Sequence, residues 1–62
     1  MNPEQLKRAI RRHMKKYGFP NVTALLAAAG VDYSTYWAWC NGRRNPNMGT
    51  LRRIWETTEI PR

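Results

Sequence analysis

The chain has 62 residues and a formal net charge of +7, from eleven Lys and Arg against four Asp and Glu. One domain of this size buries only about 60% of the surface its unfolded chain exposes, which leaves a small core and no room for a substrate cleft of ordinary size. A single cysteine excludes an internal disulfide, one Cys with one His gives no zinc-ligand cluster, and no apolar run approaches the ~20 residues that cross a bilayer, so the expectation is a soluble cytoplasmic protein without metal or cofactor.

The first predicted helix spans residues 3–17, because Asn2 and Gln5 have capping-box spacing, Pro3 suits the first helical position, Met1 can staple to Leu6, and Gly18 stops it. Leu6, Ile10, Met14 and Tyr17 fall on one face with Ala9 and His13 alongside, while Lys7, Arg8, Arg11, Arg12, Lys15 and Lys16 fill the others. His13 reads as a boundary residue. A membrane-surface role ranks low, since the apolar face is narrow and carries neither Trp nor Phe.

The second predicted helix spans 22–29, capped by Asn21, with Leu25 and Leu26 as its only bulky apolar residues and three alanines at its end that let another helix come close. Gly30 can take the left-handed conformation of a helix end, Asp32 can cap the next helix, and Val31 can meet Tyr36 as a hydrophobic staple. The third helix, 33–41, ends at Gly42 and separates by spacing into two sides. Tyr36, Trp39 and Cys40 share one; Tyr33, Ser34, Trp37, Ala38 and Asn41 share the other. The fourth, 48–57, starts after Pro46 with Asn47 as cap, and Met48, Leu51, Ile54 and Trp55 are its expected inward stripe, with 58–62 as tail. No repeat or linker interrupts residues 1–62, so all four helices are expected to share one core in one domain.

Charge is unevenly placed along these elements. Residues 1–16 carry six bases and one acid, 17–42 carry no Lys or Arg and only Asp32, and 43–62 carry five arginines against Glu56 and Glu59. Such bracketing of a segment without cations points to a polyanionic partner, although basic helices also serve plain solubility.

The run from Leu25 to Ile54 resembles the Cro and lambda-repressor type of helix-turn-helix, the large bacterial and phage repressor family. The matching residues are Leu25, Gly30, Val31 and Asp32 at the turn, Ser34, Thr35, Tyr36, Trp39 and Gly42 in and after the third helix, and Arg43, Arg44, Pro46, Asn47, Leu51 and Ile54 beyond it. The chain departs from the pattern at Leu26, usually Ala, at Val22, often Gln, and in a connection between the first two helices one residue longer. Ala28 and Ala29, where the family often has larger residues, can return the volume that Leu26 adds.

The resemblance implies an all-α, compact four-helix lambda-repressor-like domain whose third helix enters the major groove of double-stranded DNA. Tyr33, Ser34, Trp37, Ala38 and Asn41 are then the base-facing candidates, none of them charged, and Asn21, Arg43, Arg44 and Asn45 the phosphate-binding ones. A domain this small covers one half-site, so the resemblance also implies a pseudo-palindromic operator and a homodimer, formed in solution or only on DNA, with Trp55, Ile60 and Pro61 as apolar candidates for pairing. Four scattered acids, one His and one Cys offer no catalytic constellation, so no enzyme is expected. The competing readings are a protein-interaction module, such as the DNA-binding antitoxin part of a toxin-antitoxin pair with exposed Trp37 and Trp55 as its patch, and a nonspecific nucleic-acid-binding protein.

Overall fold

The computed structural model describes residues 2–60. It contains four helices and no strand among the described residues: α1 (Pro3–Lys16), α2 (Val22–Ala29), α3 (Tyr33–Cys40) and α4 (Met48–Glu56). Three of the four end one residue before the expected bound, because Tyr17, Asn41 and Thr57 are C-caps rather than helical residues. No helix among the described residues is long and apolar enough to cross a membrane.

Local chemistry sets each start. Asn2 accepts from the Gln5 N–H at 2.8 Å while the Gln5 side chain accepts from the Asn2 N–H at 3.2 Å, a reciprocal capping box. Asn21 Oδ1 accepts from the Ala24 N–H at 2.7 Å, and Asn47 Oδ1 accepts from the N–H groups of Gly49 and Thr50. Asp32 corrects the expectation: it occupies the N-cap position of α3 in extended conformation but its side chain makes no capping hydrogen bond. The exposed carboxylate acts on α3 only through the helix dipole. The expected staple between Met1 and Leu6 and the pairing candidate Pro61 lie outside the described residues.

The ends of α1, α2 and α3 share one geometry. At Gly30, with φ of 72°, the Gly30 N–H reaches the Ala27 carbonyl at 3.1 Å and the Val31 N–H reaches the Leu26 carbonyl at 2.9 Å, the paired bonds of a Schellman motif. The same pairing closes α1, where Gly18 and Phe19 reach back to Lys15 and Met14. In each motif the residue after the glycine is turned inward, so Val31 and Phe19 are both buried.

Leu6 and Ile10 of α1, Leu25, Leu26 and Ala29 of α2, Trp39 of α3 and Leu51 and Ile54 of α4 form one core with Phe19 and Val31, and Tyr36 packs against it. α1 packs on both α2 and α3, and α2 packs on α4. Five of these side chains are essentially fully buried, and each such Leu or Ile contributes about 1.5–3 kcal/mol. Leu26 is accommodated inside this core, with Ala28 and Ala29 beside it.

One position differs from the sequence expectation, and one residue that the sequence left unassigned joins the core. Phe19 joins the core although it belongs to no helix, carried there by the Gly18 turn. Met48, expected inward, is 78% exposed. Each three-residue step turns a helix about 60° short of a full circle, so with Leu51 and Ile54 both buried, Met48 has rotated off the core face.

Candidate nucleic-acid interface

The outer side of α3 is uncharged and partly apolar. Tyr33 is 54% and Trp37 46% exposed, Ser34 is exposed, and Ala38 is half-buried at the edge of this face. This follows from the pinning of α3 by Trp39, which is buried, and by Tyr36, which packs half-buried against the core. Tyr33 leans toward Tyr36, with ring centroids 5.8 Å apart, so it belongs to the N-terminal end of this face.

At the opposite end, Gly42 with φ of 70° closes α3 by the same two bonds: its N–H reaches the Trp39 carbonyl at 3.2 Å and the Arg43 N–H reaches the Ala38 carbonyl at 2.9 Å. The Arg44 N–H also reaches Ala38, at 3.3 Å. Arg43 therefore holds the place that Phe19 and Val31 hold in the earlier turns, but as an exposed cation instead of a core residue. Its guanidinium lies 5.4 Å from the Trp37 ring centroid, a cation–π geometry.

Ser34, Thr35, Trp37, Ala38 and Arg44 line a shallow depression of about 280 Å³ on this face. Thr35 matches the family pattern but falls between the two faces of α3 and is not among the site candidates; it is half-buried here. Among the described residues the one ion pair is the 4.0 Å contact of Lys7 with Glu4, so Arg43 and Arg44 have no acidic partner there.

The remaining candidates are distributed differently. Asn41 is the C-cap of α3, and its Nδ2–H donates to the Trp37 carbonyl at 2.8 Å. It is turned back along its own helix and is withdrawn from the base-facing set as a free reader. Asn45 lies on another depression, of about 230 Å³, shared with Pro3, Leu6, Trp39, Gly42, Arg44 and Pro46, so it faces α1, while Arg44 borders both this depression and the one on α3. Asn21 uses its side-chain oxygen for the cap, which leaves the first-turn N–H groups of Val22 and Thr23 without helical acceptors. Those groups, not the Asn21 side chain, are what this helix end offers an anion.

Beneath the face, burial and then hydrogen bonding to Cys40 push the Tyr36 phenol up from 10.0 to about 12, against a smaller opposing pull from Arg11. Tyr36 is thus a neutral, packed support for Tyr33. His13, read as a boundary residue, is half-buried between the rings of Tyr17 and Trp55, and its Nε2–H donates to the Thr57 carbonyl at 2.8 Å, tying α1 to the end of α4. No three of His, Cys, Asp and Glu come together as a metal-ligand group among the described residues.

No protein-family model matches the chain, and neither a curated protein nor a solved structure matches it.

Proposed function

We propose that this chain is a sequence-specific double-stranded DNA-binding protein in which α2, the Gly30 turn and α3 act as a helix-turn-helix of the Cro and lambda-repressor type. The observation that carries the reading is the outer face of α3: uncharged, half-exposed, and ending in Arg43 and Arg44, whose backbone the Gly42 turn fixes at Ala38. Ser34 supplies a hydroxyl to base edges, and Trp37 and Ala38 supply apolar surface to thymine methyls. Tyr33 extends this face toward the start of α3. Arg43, Arg44 and the Val22 and Thr23 N–H groups take phosphates and set the register.

A second copy on a pseudo-palindromic operator gives the specificity that one small domain lacks. A role as a bacterial or phage transcriptional regulator, acting in the cytoplasm, rests on analogy of fold. No catalytic role is proposed.

The test is binding to duplex DNA as a function of salt, followed through Trp37 emission. If about four phosphates are neutralised per protomer, log K falls with log salt at a slope near −3.6. Emission that responds to duplex, and loses that response in Trp37→Phe, supports groove contact by α3. A slope near zero, or emission blind to duplex at any salt, overturns the reading.

A further inference from the structure

We infer that the face between α1 and α4 docks an acidic amphipathic helix of a partner protein. Two depressions meet there at one shared wall, Trp55. One, of about 340 Å³, is formed with Met48, Leu51 and Arg52; the other, of about 230 Å³, with Ala9, Arg12 and Lys16. Neither shares a residue with the depression on α3. The inference therefore stands on its own observations and does not depend on DNA binding.

The shape suits a helix. Met48, Arg52 and Trp55 follow i, i+4, i+7 spacing and line about two helical turns, roughly 10 Å of trough. A helix laid along this length would seat its own apolar anchors, at i, i+3, i+4 and i+7, against Met48 and Trp55. The far wall is preformed, because His13 holds the Trp55 ring edge-on at 5.5 Å and is itself fixed to the Thr57 carbonyl. Met48, at 78% exposure, adds a long and adaptable apolar side chain at the mouth.

The charge selects the occupant. Arg52 stands on one rim and Arg12 and Lys16 on the other, all exposed, and among the described residues none of them is in an ion pair. Glu56 stands one turn beyond Arg52, about 40° from it round α4 and about 100° from Trp55, but forms no ion pair with Arg52, and the two rims together keep a net positive charge. An apolar floor between cationic rims is complementary to a helix with an apolar stripe flanked by Asp or Glu. A second copy of this chain would set the same three cations against themselves across a two-fold axis. Nucleic acid would satisfy the cations but leave Met48 against phosphate or solvent.

The experiment titrates the full chain, labelled with ¹⁵N, with a synthetic helical peptide of about four turns that carries Leu on one stripe and Glu on both flanks. Its Lys-for-Glu counterpart and single-stranded oligo-dT are the comparison probes. Expected are saturable shifts of the Trp55 indole N–H and of the Arg52 and Lys16 amides with the acidic peptide, and none with the Lys peptide. Arg52→Glu should weaken the acidic peptide by about tenfold or more by placing like charge against like. Met48→Gln, at an exposed position that leaves the fold intact by circular dichroism, should also weaken it, and Arg43→Ala should leave it unchanged. The inference is overturned by no shift at about millimolar peptide, the weakest affinity worth the name, or by shifts centred on α3. Tighter engagement of the same signals by oligo-dT, or sedimentation showing self-association through this face, overturns it equally.

Discussion

The Arg43 guanidinium lies 5.4 Å from the centroid of the Trp37 ring, so the first cation after α3 rests on the largest side chain of the face it adjoins. Stacking of this kind, worth about 0.5–1 kcal/mol at an exposed site, steadies both groups before any partner arrives. Arg43→Ala should weaken binding to every duplex by a similar factor and shift Trp37 emission in the free protein. Arg43→Lys should restore much of the affinity but not the emission, because an ammonium keeps the charge and loses the guanidinium's contact with the ring. Binding assays on two unrelated duplexes, with emission spectra, check both halves. A change of base preference in Arg43→Ala would assign the residue to reading instead of positioning.

Gly42 fixes where Arg43 points, and its left-handed conformation, not lack of space, is the constraint: a Cβ there meets nothing within 4 Å. Gly42→Ala should therefore cost about 1–2 kcal/mol of stability, the strain of a left-handed L-residue. Gly18→Ala should cost a similar amount, since Gly18 has the same conformation and the same open space. The two should differ in DNA affinity, with only Gly42→Ala losing it beyond its stability cost. Urea denaturation and duplex titration of both variants make the comparison; equal affinity in the two would remove the Gly42 turn from the interface.

The caps of α2 and α3 should behave unlike each other. Asn21→Ala removes the acceptor of the Ala24 N–H and should cost about 1 kcal/mol, or roughly 4–8 °C in Tm for a domain this small. Asp32→Ala removes no hydrogen bond and should cost clearly less. It also deletes the one acid between residues 17 and 42, so duplex affinity should rise. Thermal melts rank the two, and an Asp32→Ala variant as damaged as Asn21→Ala would contradict the assignment.

Alkali should act through Tyr36. Its phenol titrates at about 12 in the fold against 10.0 ordinarily, so the unfolded chain releases that proton first as pH rises. The stability this contributes is complete below about pH 10 and is lost as pH climbs from there to about 12. Tyr36→Phe should lack this alkaline loss, and the tyrosinate absorbance missing from the variant should be the part that develops near pH 12. Parallel stability curves for the two proteins through that window would refute the role.

Much of the fold was legible because its signals are local. Asn2 with Gln5, Asn21, Asn47 and the glycines at 18, 30 and 42 act within one turn of chain, and each helix lies where those residues put it. What the sequence left open or placed otherwise depends on more than one turn of chain. Phe19 is buried by the reach-back of a Schellman motif, a signal that the Gly18-Phe19 pair carries once the residue after the glycine is read as inward. Met48 fits an apolar stripe, but which side of the stripe meets the core is decided by how α4 lies on α2. At the site, the two faces of α3 were readable from spacing, whereas the Arg43 stack, the turned-back Asn41 and the α1-facing Asn45 depend on backbone paths after the helix.

The central claim is that an uncharged face reads bases while arginines at its end hold the backbone. Selection of binders from a random double-stranded DNA library, run with the wild type and with Ser34→Ala and Trp37→Ala, tests it most directly. The account predicts a defined half-site, repeated as an inverted pair, for the wild type, and an altered base preference at one or two positions for each variant. Recovery of unselected sequence by the wild type, or of the same motif by all three proteins, would contradict it.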